Sequence, residues 1–250
     1  MDNTLVKLLG WRATVLHGDP TTYDRWVWLK RYLLPGPLRT LDAGCGSGSF
    51  TMFAAKVGNE SLGISFDERN FRLAETRSQL LGFKNVKFVL GDLRELDIYS
   101  DRLGMFDQII CFETIEHILN DKKLIEDLAK MLKPGGRLLL TTPYKHYKPL
   151  HGDNISEHED GGHVRWGYTF NELKELFVAS GLEMVVEDYI SGFFSQKITN
   201  LMRRLSGVIP HAAVWVLTMP LRLFQIIDAP FTRFIRYPFL SVGVVGIKRQ

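Results

Sequence analysis

The sequence predicts an α/β protein that folds as one compact domain. Its 250 residues, of which 45% are hydrophobic and 24% charged, are enough for a single domain with a sizeable core. Residues 38–41 form an apolar stretch that predicts a strand, and Asp42 follows directly. Glycines then occupy every second position from Gly44 to Gly48, before the helix-forming residues 50–56. This strand, turn and helix is the first unit of the predicted fold.

The glycine turn between that strand and helix predicts a ligand site. Glycine lacks Cβ, so Gly44 and Gly46 adopt positive φ readily and allow a ligand to lie against the backbone. The N-terminus of the following helix offers N–H groups and the positive end of the helix dipole. The spacing departs from the dinucleotide pattern G-x-G-x-x-G, because Ser49 follows the third glycine. Asp42 would repel a pyrophosphate, and it suits a ligand that carries an ammonium group.

Four further segments continue the alternation of strands and helices in order along the chain. They are a second strand over 62–67 with a helix over 68–81, third and fourth strands over 86–93 and 106–113, and a helix stop at 132–137 before a fifth strand over 138–142. With the glycine turn, these motifs resemble the class I S-adenosylmethionine (SAM)-dependent methyltransferases of the small-molecule type. The resemblance implies a Rossmann-like sheet of seven strands in the order 3-2-1-4-5-7-6, with only strand 7 antiparallel.

The same resemblance implies which residues bind the cofactor SAM. Asp42 and the glycines would hold the methionine end, while Asp92 and Leu93, in a Gly-Asp-Leu after the third strand, would meet the adenine. Phe112, at the end of the fourth strand, is a further predicted contact. A helix predicted over residues 22–33 covers the cofactor in many relatives, so Tyr23 is a candidate contact. Packing of that aromatic helix on the sheet edge is the alternative.

The end of the second strand departs from the family pattern. Many relatives have an acid there that accepts both ribose hydroxyls, but this chain has Ser65, whose hydroxyl makes only part of those hydrogen bonds. Ser65 and Phe66 are predicted cofactor contacts, with Phe66 against the adenine. Asp67 is predicted to be the N-cap of the next helix.

The chain divides into four parts within a single methyltransferase domain. They are an N-terminal helical cap (1–37), the cofactor-binding core (38–190), a helical insertion (191–239) and the last strand (240–250). The insertion separates the sixth and seventh strands, which span 181–190 and 240–248, and it greatly exceeds the usual connection of roughly 4 to 6 residues.

The insertion is strongly apolar, with prolines at 210, 220, 230 and 238 that are expected to divide it into short helices. Arg222 and Asp228 interrupt it, so no uncharged run reaches the ~18 residues expected of a spanning helix. Three interpretations remain: a lid over the active site, a homodimer surface, or a face that contacts a membrane through its apolar and basic residues. We expect a lid over the acceptor pocket, and therefore an acceptor that is partly hydrophobic.

Two acids and two histidines follow the core strands and carry the predicted chemistry. If the chain turns helical after the fourth strand, Glu113, Glu116 and His117 share one face. His163 lies in the acidic and histidine-rich segment 157–169, which closes over the substrate end of the cofactor in this fold. This set resembles the metal site of the small-RNA 2′-O-methyltransferases, and ubiquinone-pathway O-methyltransferases carry a similar Glu-x-x-Glu-His.

The resemblance implies that Glu113, Glu116, His117 and His163 bind Mg²⁺ or Mn²⁺, which suit oxygen and imidazole ligands. The metal-free alternative keeps His117 or His163 as a general base for a hydroxyl proton.

Taken together, these features predict a methyltransferase that acts on the hydroxyl oxygen of a small molecule. The alternatives are N- or C-methylation of a secondary metabolite, and a glycan or lipid-linked acceptor at a membrane surface. A net charge of +3 on dispersed residues gives no reason to expect a nucleic acid. Cys45 and Cys111 fit no disulfide or metal pattern, and residues 1–20 lack a secretory signal. A cytoplasmic protein is expected, with membrane association left open.

Overall fold

The computed structural model describes residues 3–249, which form a seven-stranded sheet with helices on both faces. The strands are β1 (Arg39–Ala43), β2 (Glu60–Ser65), β3 (Val86–Leu90), β4 (Phe106–Phe112), β5 (Leu132–Pro143), β6 (Leu182–Ile190) and β7 (Ser241–Lys248). Their order in the sheet is 3-2-1-4-5-7-6. Strand β7 is antiparallel to both β5 and β6, and the other pairs are parallel. The predicted order is confirmed.

Eleven α-helices lie in the described part of the chain. They are α1 (Asn3–Leu9), α2 (Ala13–Leu16), α3 (Pro20–Tyr32), α4 (Ser49–Lys56), α5 (Glu68–Leu80), α6 (Leu96–Leu103), α7 (Asp121–Met131), α8 (Phe170–Ala179), α9 (Phe193–Ser206), α10 (His211–Thr218) and α11 (Asp228–Phe234). Short 3₁₀ segments cover Gly10–Arg12, Leu93–Glu95, Ile115–His117 and Met219–Ile227. The predicted cap of α5 is confirmed, because the Asp67 side chain accepts a hydrogen bond from the Arg69 backbone.

The core lies on both faces of the sheet because neighbouring strand residues point to opposite sides. Ile109 and Leu138 belong to the cluster under α6, α7 and α8. Ile110 and Leu139 belong to the cluster that packs against α3 and α4. Because β1 to β4 are parallel, their carboxyl ends lie at the same edge of the sheet. The loops that follow these strands carry most of the predicted site.

The insertion folds as short helical segments that begin or end near its prolines, as predicted. Pro210 precedes α10 and Pro238 follows α11, but Pro220 and Pro230 lie in the first turns of their segments, where a missing N–H breaks no helical hydrogen bond. Three short helical segments, α10, the 3₁₀ segment Met219–Ile227 and α11, follow one another directly from His211 to Phe234. By length and composition alone, this stretch of 24 residues, in which an 18-residue window has a mean hydropathy of 1.3, is apolar enough to cross a membrane.

Candidate active site

The glycine turn after β1 packs against the segment that follows β4. Gly44 has a φ of 83°, and a Cβ there would lie 2.3 Å from Thr114 Oγ1. Gly46 has a φ of 50° and faces open space. The two glycines therefore differ: Gly44 is required by a contact within the protein, whereas Gly46 leaves backbone accessible beside the start of α4.

Asp42 lies at the end of β1 and is only 1% exposed. Thr51 Oγ1 donates a hydrogen bond of 2.6 Å to its carboxylate. Burial raises the pKa of Asp42 to about 7, and the hydrogen bonds from Thr51 oppose that shift. An acid held this way gains much from a neighbouring cation, because the cation offsets the cost of burying the charge.

The residues after β2 have separate roles. Ser65 is buried, and its hydroxyl donates to the backbone carbonyl of Asp67 at 3.2 Å. Phe66 is 67% exposed, an unusual position for a large apolar side chain. The Arg94 guanidinium lies 5.6 Å from the centre of its ring.

Asp92 is paired with an arginine that the sequence analysis did not identify. Its carboxylate forms an ion pair of 2.5 Å with Arg94, which is also 3.0 Å from Glu159. The hydrogen bonds from the Arg94 side chain hold the pKa of Asp92 below its usual range. Glu159 accepts a 2.6 Å bond from the Leu119 backbone, so this chain of charges joins three loops.

A cavity of about 130 Å³ gathers several of the predicted cofactor contacts. It is lined by Gly44, Phe66, Asp92, Leu93, Arg94, Thr114, His117, Ile118, Glu159 and Gly161. Phe112 and Tyr23 are placed elsewhere. Phe112 packs in the core, with its ring 5.1 Å from that of Phe50. Tyr23 stacks edge-on against Trp26 and lines a separate space between α3 and the insertion, which agrees with the alternative of aromatic packing.

Glu113 does not join the other predicted ligands, and the predicted helical face is wrong. Its φ of 46° turns the chain before the short 3₁₀ segment begins, so the helical spacing does not apply. The carboxylate lies 3.2 Å from Arg25 on α3 and accepts a 3.0 Å bond from Thr141. Glu113 therefore ties the N-terminal cap to the sheet.

Glu116, His117 and His163 do come together. One potential ligand atom from each lies within 4.8 Å of the others. Glu116 is fully buried, with one oxygen bonded to Thr142 and the other, Oε1, without a hydrogen bond and 3.8 Å from His117 Nε2. His163 Nδ1 is also buried without a partner. His117 Nδ1 lies 3.0 Å from the Gly162 carbonyl, which fixes Nδ1 as the donor and leaves Nε2 free to accept.

The electrostatics of this cluster follow from its burial. Burial raises the pKa of Glu116 well above its ordinary value, and the nearby charge of Glu113 adds to that shift. Burial lowers the pKa of His163, and His117 lowers it further. His163 is therefore neutral near pH 7 and offers lone-pair nitrogen.

A second and larger cavity of about 710 Å³ opens beside the cluster. His117 and Gly161 line both cavities, so the two meet there. The insertion forms one wall through Thr199, Met202, Arg203, Ser206 and His211, and the remaining lining is Asp19, His117, His151, Gly152, Asp153, Asn154, Gly161, Gly162 and His163. Most of these residues are polar, so the wall gives little support to the expectation of a hydrophobic acceptor.

Several of these site residues could not be identified from local patterns. Thr114 and Arg25 act through contacts with segments far away in sequence, and nothing near them indicates a role. Arg94 had a usable signal, because an arginine two residues after a capping aspartate can fold back onto its carboxylate.

Residues 36–181 match the sequence family described as a methyltransferase domain. The match covers more than half of the 250 residues, so the chain belongs to this family. With the sheet order described above, this confirms the resemblance to class I SAM-dependent methyltransferases.

Curated relatives are similar over part of the chain. A ubiquinone biosynthesis O-methyltransferase of Xanthomonas axonopodis pv. citri is 31% identical over 110 residues, which are 44% of this chain and 45% of that protein. A protein of the same name from Coxiella burnetii is 30% identical over 108 residues, or 43% and 44% of the two chains. The matched region thus spans less than half the length of either relative.

Solved structures share the fold at low identity. A [4+2]-cyclase has a TM-score of 0.63 and 21% identity over 91% of this chain and 82% of its own. A phosphoethanolamine N-methyltransferase of Haemonchus contortus in complex with SAM has a TM-score of 0.62 and 16% identity, over 97% and 57%. Because their names describe different reactions, the shared fold does not determine the chemistry.

Proposed function

We propose that this protein transfers the methyl group of SAM to a hydroxyl oxygen of a polar small molecule. The observation that carries the proposal is the junction of the two cavities at His117. The smaller cavity holds the family's predicted adenine contacts, and the larger one is an adjoining space of acceptor size. The names of the curated relatives support oxygen as the acceptor atom.

His117 is the proposed general base. In methyl transfer the acceptor oxygen bonds to the methyl carbon as the carbon–sulfur bond breaks, and the hydroxyl proton must leave. The free Nε2 of His117 can accept that proton, while the Gly162 carbonyl holds the opposite nitrogen in place. His163, whose ring centre lies 4.8 Å away, restricts the orientation of His117.

As the alternative to base catalysis by His117, we propose that Glu116, His117 and His163 form a divalent metal site, in which the Nε2 lone pair of His117 would bind the ion instead of accepting the hydroxyl proton. Two buried atoms without hydrogen-bond partners, Glu116 Oε1 and His163 Nδ1, support the fit of a cation. Glu113 is not included in this set. One carboxylate with two imidazoles favours Mn²⁺ or Zn²⁺ over Mg²⁺, which prefers oxygen ligands. A bound ion would lower the pKa of a coordinated hydroxyl group.

Metal binding can be measured without a substrate. Calorimetry with Mn²⁺ and Zn²⁺ should give one site in the wild type that is lost in Glu116→Gln and His163→Gln. Glu113→Gln is the matched control, and it should keep the site. Absence of binding in the wild type would reject the metal site and leave the general-base proposal intact.

The methyl acceptor can be found by comparing metabolites of cells with and without the gene by mass spectrometry. We expect a product heavier than its precursor by one CH₂, and the purified protein should form that product from SAM. Methylation at nitrogen or carbon in the isolated product would contradict the proposed O-methylation.

A further inference from the structure

The helical run from His211 to Phe234 has its polar and apolar sides reversed relative to an ordinary surface helix. A helix on a soluble domain buries its apolar side and exposes its polar side. Here the residues buried against the domain are mostly polar and recur at helical spacing: Val214, Thr218, Arg222, Asp228 and Thr232. Leu221 and Phe231 are half-buried beside them. The inverted pattern indicates that the outer side is adapted to something other than water.

The inner side is held to the domain by hydrogen bonds. Arg222 donates to the backbone carbonyls of Leu16 and Gly18. Asp228 accepts from backbone N–H groups at the start of α9, including that of Phe194 at 2.8 Å. Because Arg222 and Asp228 are both buried in this way, the run lies along the domain and does not leave it to span a bilayer.

The outer side is a continuous apolar surface, which we call the outward face. It consists of Val216, Leu217, Leu223, Ile226, Ile227 and Phe234, of which Leu223 and Ile226 also border the space between α3 and the insertion. Ile226 is 81% exposed and Phe234 85% exposed. Such a concentration of exposed large apolar residues marks an interaction surface.

The charges around the outward face identify its partner. The insertion carries six basic residues, and its one acid, Asp228, is buried. Arg204, Arg233 and Arg236 are exposed, and within residues 3–249 none of them forms an ion pair. A symmetric dimer through this face would bring the same cations of two copies together, which is unfavourable. A surface that is apolar at its centre and cationic at its border matches an anionic lipid bilayer.

We propose that the outward face binds to the surface of membranes that contain anionic lipids. The run lies in the plane of the interface, with Leu223, Ile226 and Phe234 inserted among the acyl chains. Arg233 and Arg236 then contact the headgroups. This proposal is independent of the proposed methyl transfer, because none of the six residues of the outward face lines the larger cavity.

Vesicle sedimentation of the full chain tests the proposal. Vesicles of phosphatidylcholine with an equal part of phosphatidylglycerol should bind the wild type, and vesicles of phosphatidylcholine alone should bind it much less. The double variant Leu223→Glu/Ile226→Glu should lower binding roughly tenfold or more. The matched control Ile98→Glu/Val178→Glu changes equally exposed apolar residues on α6 and α8 and should leave binding unchanged.

A second measurement detects insertion into the membrane with a fluorescent label and introduces no charged residue into the outward face. The two native cysteines are buried, so Ile226→Cys can be labelled selectively with an environment-sensitive dye. Its emission should shift to the blue with the anionic vesicles, whereas a label at Ile98→Cys should not respond. Failure of the wild type to bind these vesicles, or unchanged binding of the Leu223→Glu/Ile226→Glu variant, would overturn the proposal. A dimer that this variant dissociates, without vesicle binding by the wild type, would assign the face to a second copy.

Discussion

At the scale of single residues, Asp42 shows how a binding group is maintained at a cost in stability. Its pKa is raised to about 7, so the free energy of unfolding falls as the pH rises from the ordinary pKa of an aspartate to about 7, where the buried carboxyl group becomes charged. Asp42→Asn removes this charge and keeps an oxygen to accept from Thr51. We expect the variant to be more stable than the wild type at about pH 8, with a smaller difference at about pH 6, where the acid is already protonated.

The same substitution should weaken SAM binding by about 1.5–3 kcal/mol, because the ammonium group loses a charged partner. Thermal unfolding and calorimetry measure the two effects. Asp107→Asn is the matched control at the opposite edge of the sheet, where the acid pairs with Lys133 at 2.7 Å. It should reduce stability and leave SAM affinity unchanged. Unchanged affinity in Asp42→Asn would show that the ammonium group lies elsewhere.

Asp92 should recognise the adenine amino group even though Arg94 now pairs with it, because a carboxylate has acceptor sites for both. Asp92→Asn should therefore weaken SAM binding by about 1.5–3 kcal/mol. The wild type should also bind the S-inosyl analogue, which lacks that amino group, less well than SAM. Equal affinities for the two cofactors would refute the assigned role of Asp92.

At the scale of elements, the glycine turn packs against the segment after β4 where Gly44 lies next to Thr114. Gly44→Ala would place Cβ against Thr114 and force a positive φ on alanine, at a cost of order 1–3 kcal/mol in the free energy of unfolding. Removing the Thr114 hydroxyl in Gly44→Ala/Thr114→Ala should recover part of that loss. Gly46→Ala has no such neighbour, so Thr114→Ala should not rescue its stability. Equal rescue of both variants would contradict the contact.

If the acceptor binds in the larger cavity, a bulky side chain on α9 that enters the cavity should block methyl transfer. Ser206 is an exposed lining residue, so Ser206→Trp should obstruct the cavity without disturbing the core. We expect methyl transfer to fall roughly tenfold or more while SAM affinity is unchanged. Arg204→Trp, on the same helix but outside the cavity lining, is the control. Equal activity of both variants would mean that the acceptor binds elsewhere.

Local patterns predicted the elements well, because a strand end, a glycine turn and a helix cap each depend on a few adjacent residues. They failed where distant segments decide the conformation. Glu113 was assigned to a helical face, but its positive φ and its pairing with Arg25 turn it toward the N-terminal cap. Composition showed that the insertion is apolar, but only packing shows that its buried side is the polar one.

At the scale of the whole molecule, the sheet brings two cavities to one edge and the insertion forms one wall of the larger of them. Three segments that are far apart in sequence meet there: the turn after β4, the loop before α8 and helix α9. The insertion has two different sides as a result. Helix α9 and His211 form a wall of the larger cavity, and the outward face of residues 211–234 is apolar. The two proposals together assign an acceptor to the larger cavity and a membrane surface to the outward face.

The central claim is that methyl transfer occurs where the two cavities meet at His117. The most direct measurement is transfer of label from methyl-labelled SAM into an extract of cells that lack the gene, with SAM affinity determined in parallel. The wild type should label one acceptor. His117→Gln should bind SAM with nearly unchanged affinity and transfer label at least roughly a hundredfold more slowly. Transfer by His117→Gln at the wild-type rate would contradict the account.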